Sequence, residues 1–195
     1  MSFQSNLGQT PFKVPLIGDA NVGKTSIVSR LTTDIYTGNT TPTVGVSNVQ
    51  ITLKHKDKDV ALGIWDTAGQ EKFRSLIQLY TRNSSLLILV FDISSVDSFH
   101  SIDFWYKKIR VELDNKSPMF LCANKIDLSP VISREAIEEW ARLHECRTFY
   151  TSAQNGEGID EMFHAVAATL SDQEEKPLFG NTPNLNIANK ERACC

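Results

Sequence analysis

Residues 18–25 read Gly-Asp-Ala-Asn-Val-Gly-Lys-Thr, directly after the apolar stretch 12–17 and directly before a segment with apolar residues at helical spacing. This is the pattern G-x-x-x-x-G-K-[ST] in a strand–loop–helix setting, which commits the chain to a βα unit. Glycine at 18 and 23 lets the backbone wrap closely, so successive N–H groups and the helix N-terminus point at one phosphate. Lys24 brings a full positive charge to β and γ oxygens, and the Thr25 hydroxyl is placed to reach Mg²⁺. The bland alternative is a glycine turn that merely starts a helix, and the strand and helix on either side weigh against it. The loop by itself does not separate an ATPase, a kinase and a GTPase.

The rest of the chain repeats the same alternation. Short apolar strands fall near 12–17, 48–54, 59–65, 86–92, 118–123 and 147–151, with amphipathic segments between them. Val49, Ile51 and Leu53, then Val60, Leu62 and Ile64, alternate on either side of the polar His-Lys-Asp-Lys-Asp turn. That is the mark of one antiparallel hairpin. The expected fold is α/β: a six-stranded, mostly parallel sheet with one antiparallel hairpin and helices on both faces. Phe99, Ile102, Trp105, Ile109 and Leu113 keep helical spacing, as do Ile137, Trp140, Ala141 and His144, and Ile159, Met162, Phe163, Val166 and Leu170. Trp105, Trp140 and Met162 are core on this pattern, and Ser94 and Ser133 are the expected helix starts. Pro15 is out of place in a central strand, because it cannot donate to a ladder; a bulge or a missing hydrogen bond is expected there. Residues 1–10 form a short N-terminal extension, 11–171 one domain, and 172–195 a flexible polar tail without internal repeat.

Composition narrows the partners. A net charge of −3 and a pI near 5.8 give no cationic field for a phosphodiester backbone, so no nucleic acid is expected. The N-terminus has neither a basic segment followed by an apolar one nor Gly after Met1, which excludes a secretory leader and myristoylation. The longest apolar run, residues 85–92, is far below the ~20 residues of a spanning helix. A reducing compartment follows, with disulfides not expected and the sequons at Asn39, Asn83 and Asn115 idle.

Asn124-Lys125-Ile126-Asp127 and Thr151-Ser152-Ala153 each follow an apolar strand, where doubly wound sheets bind ligands. The Asp127 carboxylate can accept two hydrogen bonds, from guanine N1–H and the exocyclic amine, a donor pair that adenine lacks. The Ala153 N–H set near the 6-oxo group would face a donor in adenine. Each buried polar group left unpaired costs about 1–3 kcal/mol, so together these groups exclude adenine nucleotides. Lys125 can lay its alkyl stem over the base plane.

With Trp65-Asp66-Thr67-Ala68-Gly69-Gln70-Glu71-Lys72-Phe73-Arg74-Ser75, Leu89-Val90-Phe91-Asp92 and the terminal Cys-Cys added, the chain resembles the small GTPases of the Ras superfamily, Rab branch, over about residues 12–170. The resemblance implies a switch that hydrolyses GTP to GDP and phosphate. Nucleotide contacts would come from Asn21, Val22, Gly23, Lys24, Thr25, Ser26, Asn124, Lys125, Asp127, Ser152 and Ala153. Tyr36 would pack edge-on against the guanine, and Thr43 and Gly69 would sense the γ-phosphate. Gln70 would orient the attacking water. Mg²⁺ would be held by Thr25, Thr43 and, through water, Asp66. Loops at about 35–47 and 67–82 would be fastened by the γ-phosphate and released on hydrolysis. No arginine occupies a recognisable finger position, so turnover should be slow and need an activating protein, with an exchange factor for release.

The resemblance further implies effectors bound through Val44, Gly45, Trp65 and Tyr80, escort and dissociation-inhibitor proteins, a monomer, and vesicle trafficking. The pattern also departs from its branch. Ser47-Asn48 stands where Asp-Phe is usual, Thr81 and Asn83 replace a Tyr and a Gly, and Gln154 replaces a Lys. Ala20 occupies a glycine position where its methyl group crowds an incoming arginine, so assisted hydrolysis should be slower than in relatives. Cys194 and Cys195 have no zinc-site spacing, and a disulfide between neighbours is strained. By resemblance both receive geranylgeranyl groups. At ~0.8 kcal/mol per buried CH₂ two chains anchor stably where one does not, and the tail has no polybasic patch to help. The expected location is the cytoplasmic face of an internal membrane, cycling with cytosol. Cys122 and Cys146 read as small apolar residues. Two other functions compete: an ordinary P-loop ATPase or kinase, and a GTP-loaded binding module with negligible turnover.

Overall fold

The computed structural model describes residues 10–34, 46–67, 77–112 and 114–174. Six strands form one sheet in the order β2-β3-β1-β4-β5-β6. They are β1 (Phe12–Ile17), β2 (Val46–His55), β3 (Lys58–Thr67), β4 (Leu87–Asp92), β5 (Met119–Asn124) and β6 (Arg147–Thr151). The helices are α1 (Lys24–Thr33), the single turn α2 (Ile77–Thr81), α3 (Val96–Lys107), α4 (Arg134–Leu143) and α5 (Ile159–Glu174).

Alternation along the central strands builds the layers. In β4, Ile88 and Val90 face one core with Ile27, Val28 and Leu31 of α1 and Met162, Phe163, Val166 and Leu170 of α5. Leu87, Leu89 and Phe91 face the other, with Ile77 of α2, Ile102 and Trp105 of α3, and Ile137 and Ala141 of α4. A strand covered on both faces reads as a continuous apolar run, which is why Leu-Ile-Leu-Val-Phe carries no polar gap. The expected α/β fold is therefore present, and the antiparallel hairpin pairs Val49 with Ile64, Ile51 with Leu62 and Leu53 with Val60. Its connection is tighter than the five polar residues implied. His55 still pairs with Lys58, and Lys56 turns the chain at φ 54°.

Pro15 does not bulge the strand. The register with β3 runs unbroken from Phe12 opposite Leu62 to Leu16 opposite Asp66. Lys13 O accepts from Ser85 N at 2.8 Å, so Lys13 and, two residues on, Pro15 direct their backbone groups toward β4. Pairing with β4 involves only Leu16 and Ile17. The missing donor thus falls on the β4 side, where the ladder is short.

Two helix starts show how side-chain caps decide boundaries. Ser133 caps α4 as expected, accepting from Ala136 N at 3.2 Å. The cap of α3 is Ser95, which accepts from Ser98 N at 3.2 Å, and not Ser94. Ser94 is taken instead by Asp92, to whose Oδ1 both its N–H and its hydroxyl donate. After Lys107 the helix widens into a π turn, Lys108–Glu112, before β5.

Among the described residues no helix is long and apolar enough to cross a membrane. Phe163 is fully buried between α5 and the sheet. Truncation to Ala should cost about 3–5 kcal/mol in urea unfolding, whereas Val111→Ala, at a side chain 74% exposed, should change stability by less than about 0.5 kcal/mol.

Candidate functional site

The chain turns from β1 toward β3 on one side and β4 on the other, so the carboxyl end of β1 is the point where an open sheet of this type leaves a crevice. The loop of residues 18–23 begins there. A Cβ at Gly18 would lie 2.1 Å from Val90 O, and one at Gly23, where φ is 98°, would lie 2.3 Å from Asn124 Nδ2. Only glycine lets the loop sit this close to β4 and β5.

α1 follows at once, with Gly23 as its N-cap. It has no side-chain cap and no acidic residue in its first turn, so no side-chain anion of the helix meets the positive end of its dipole. The Lys24 side chain folds back over the loop, and its ammonium donates to Gly18 O at 2.9 Å and Asp19 O at 2.6 Å. Burial pushes its pKa down to about 8, against the pull of Asp66 and Asp19. Thr25 Oγ1 donates to Asp66 Oδ2 at 2.7 Å. The other carboxylate oxygen, Asp66 Oδ1, is buried with no hydrogen-bond partner among the described residues. Burial raises the Asp66 pKa, partly offset by the Thr25 hydrogen bond and the charge of Lys24.

The second half of the site comes from β5 and β6. Asn124 donates through Nδ2 to Val22 O at 2.8 Å and accepts at Oδ1 from Thr151 Oγ1 at 3.0 Å. One buried amide thereby joins the loop after β1 to the strand before Ser152. Lys125, at φ 68°, places its ammonium 2.7 Å from Asp92 Oδ2. Burial would raise the Asp92 pKa, but hydrogen bonds from Lys125 and Ser94 outweigh it and hold the carboxyl below its ordinary value. The Ser152 hydroxyl donates to Asp127 Oδ1, and Ile126 N donates to Thr151 O at 3.1 Å, so the two loops are tied side by side.

Asn21, Val22, Gly23, Lys24, Thr25, Ser26, Asp66, Asn124, Lys125, Asp127, Ser152 and Ala153 thus all lie at the carboxyl ends of β1, β3, β5 and β6 or on the loops and the helix start that follow them. Tyr36, Thr43, Val44, Gly45, Gly69, Gln70, Cys194 and Cys195 lie outside the described residues. Tyr80 requires a correction. It is only 3% exposed, because Ile77 and Tyr80, one turn apart in α2, face the core; Leu79 is turned outward instead, 61% exposed. Tyr80 is therefore core and not effector surface. Trp65 is half-buried, with the Lys13 ammonium 4.1 Å from its ring centroid.

Sequence reasoning missed several supports. Trp105 Nε1 donates to Asp19 Oδ1 at 2.9 Å, so this core residue of α3 also holds the loop. Thr67 Oγ1 donates to Leu16 O at 2.7 Å, linking the ends of β3 and β1. Helical spacing marks Trp105 as buried but says nothing of its N–H. Thr67 stands in the Asp-Thr-Ala-Gly-Gln string, whose letters carry no sign of a bond from its hydroxyl to β1.

Comparison with known proteins agrees with this geometry. The model of the Ras family matches residues 13–172. The Ras-related protein Rab-30 of Homo sapiens is 36% identical over 173 residues, covering 87% of this chain and 85% of the relative. The Ras-related protein Rab-31 of Rattus norvegicus is 34% identical over 191 residues, covering 94% of this chain and 96% of the relative. A loop that only glycine can form, a buried lysine at a helix start and an N-K-x-D strand end are here joined to matches over most of the chain, and the protein belongs to the Ras family as a Rab-type small GTPase.

Proposed function

We propose that the chain is a membrane-anchored guanine-nucleotide switch of vesicle trafficking, with its phosphates held by residues 21–26 and its base read by Asp127 and Ala153. The observation that carries this is Lys24, a buried ammonium that among the described residues has only neutral carbonyls in hydrogen-bond reach, set at the uncapped start of α1. A cation and a helix N-terminus facing the same point suit a polyphosphate. At the far end, Asp127 has one oxygen held by Ser152 and accepts from the guanine N1–H and amine, while the Ala153 N–H donates to the 6-oxo group.

The residues fit Mg²⁺. Asp66 Oδ1 is a buried carboxylate oxygen, unpartnered among the described residues, beside the Thr25 hydroxyl, which is the hard oxygen chemistry this ion requires. No group of three or more His, Cys, Asp or Glu occurs among the described residues, so the remaining ligands would be Thr43, water and phosphate oxygens. Bound Mg²⁺ supplies charge neutralisation at the β and γ oxygens. Thr25 and Asp66 would hold it, and Lys24 takes up the charge that grows toward the leaving β-phosphate.

Hydrolysis adds a water oxygen, oriented by Gln70, to the γ-phosphorus. The bond from that phosphorus to the β–γ bridging oxygen breaks, and GDP and inorganic phosphate leave. With no arginine at a recognisable finger position in its sequence, the chain turns over slowly until a partner supplies one. Thr43 and Gly69 lose their γ-phosphate contacts on hydrolysis, and the surface around Val44, Gly45 and Trp65 changes for its effectors. Cys194 and Cys195, both prenylated, hold the switch on an internal membrane.

Asp127→Asn tests the base assignment. The asparagine oxygen can keep the Ser152 bond and turn its amide toward the 2-oxo group of xanthine. Affinity for GTP should fall about 10- to 100-fold while that for XTP rises; unchanged selectivity in nucleotide competition would refute the assignment. Asp66→Ala tests the metal assignment. Mg²⁺ should slow GDP release from the unaltered protein strongly, and from the variant by less than about threefold. Equal slowing in both would remove Asp66 from the metal site.

A further inference from the structure

We propose that Arg30 is a positioning residue for base recognition: from the last turn of α1 it fixes the carbonyls of Ala153 and Gln154 and thereby aims the Ala153 N–H at the guanine 6-oxo group. The inference rests on the assignment of Ala153 to that group. Arg30 is 123 residues away from Ala153 in sequence and belongs to no motif, yet its side chain is only 15% exposed and its three nitrogens are all engaged. Nε donates to Ala153 O at 3.1 Å, and Nη2 donates to Gln154 O. Nη1 donates to Asp34 O at 2.9 Å and to Asp34 Oδ1 at 3.2 Å.

The pair with Asp34 adds little, since that carboxylate is 95% exposed and screened by water. The two carbonyl contacts matter more, because they are charge-assisted and come from a rigid planar fork. The Ala153 N–H lies in the same peptide plane as Ser152 C=O, which accepts from Gly156 N at 2.8 Å. The next plane carries Ala153 C=O, held by Arg30. Both planes that meet at the Ala153 Cα are therefore fixed, one from inside the loop and one from α1. Gly156 lies close alongside, where a Cβ would come 3.7 Å from Arg30 Cδ. The same helix thus meets the phosphates at its first residue, Lys24, and governs the base-reading loop from its last turn.

The test compares release rates from the full chain of three bound diphosphates: GDP, the 2-aminopurine riboside diphosphate, which lacks the 6-oxo group and with it the N1–H, and IDP, which keeps both but lacks the amine. The unaltered protein should release the 2-aminopurine nucleotide roughly tenfold or more faster than GDP. In Arg30→Ala, GDP and IDP release should both accelerate about tenfold, while 2-aminopurine release stays within about twofold of the unaltered rate. Arg30→Lys keeps the charge without the fork and should show the same nucleotide dependence with a smaller acceleration, which keeps the test valid where the Ala variant folds poorly. Equal acceleration of all three nucleotides would make Arg30 merely structural and overturn the proposal, as would no acceleration in either variant. Equal release of GDP and the 2-aminopurine nucleotide by the unaltered protein would instead refute the reading of the 6-oxo and N1–H edge by Ala153 and Asp127 on which the proposal rests.

Discussion

The Asn124 carboxamide joins the two ends of the site. Its NH₂ group holds Val22 O in the loop after β1, and its oxygen accepts from Thr151 at the end of β6. The groups are fully buried, so each would cost on the order of 1–3 kcal/mol if left unpaired, and the pairing is specific in direction as well as in position. Gly23 is glycine because the amide passes where a Cβ would stand, 2.3 Å from Nδ2. Pulling on this one residue would loosen both the phosphate loop and the strand end that carries the base-reading segment.

Around that link the charges divide into those already answered within the fold and those that are not. Lys125 is paired with Asp92, which Ser94 also holds, and Arg30 has all its nitrogens bound. These groups are fixed in place and serve as framework. Among the described residues Lys24 meets only carbonyl oxygens within hydrogen-bond reach, and Asp66 keeps one oxygen without a partner although both residues are buried. Low-dielectric surroundings make such groups costly in isolation and strong toward a ligand of opposite charge. Phosphate for one and a divalent cation for the other is the combination that offsets both costs, and a small GTPase handles these two together.

Much of this was legible in the sequence, for reasons that differ by element. Alternation in β2 and β3 gives the hairpin register, because one-residue slippage would turn Val49, Ile51 and Leu53 away from the core. The continuous apolar run of β4 announces burial on both faces. The glycines at 18 and 23 mark a phosphate loop because backbone approach is the property that the chemistry requires. Boundaries and side-chain choices were less legible. Ser94 and Ser95 are equivalent as letters, and the choice between them depends on Asp92 competing for one. Tyr80 reads as a surface aromatic until α2 is placed and its one-turn spacing with Ile77 faces inward. Trp105, Arg30 and Thr67 act across long separations, through contacts that periodicity does not record.

The most direct measurement of the central link is GDP release from Asn124→Asp, a near-isosteric change that keeps an acceptor for Thr151 but sets a carboxylate against Val22 O. Release should accelerate at least about tenfold, as fast as from Asn124→Ala, because neither variant retains the donor. If Asn124→Asp held GDP as long as the unaltered protein, the two halves of the site would not depend on this amide.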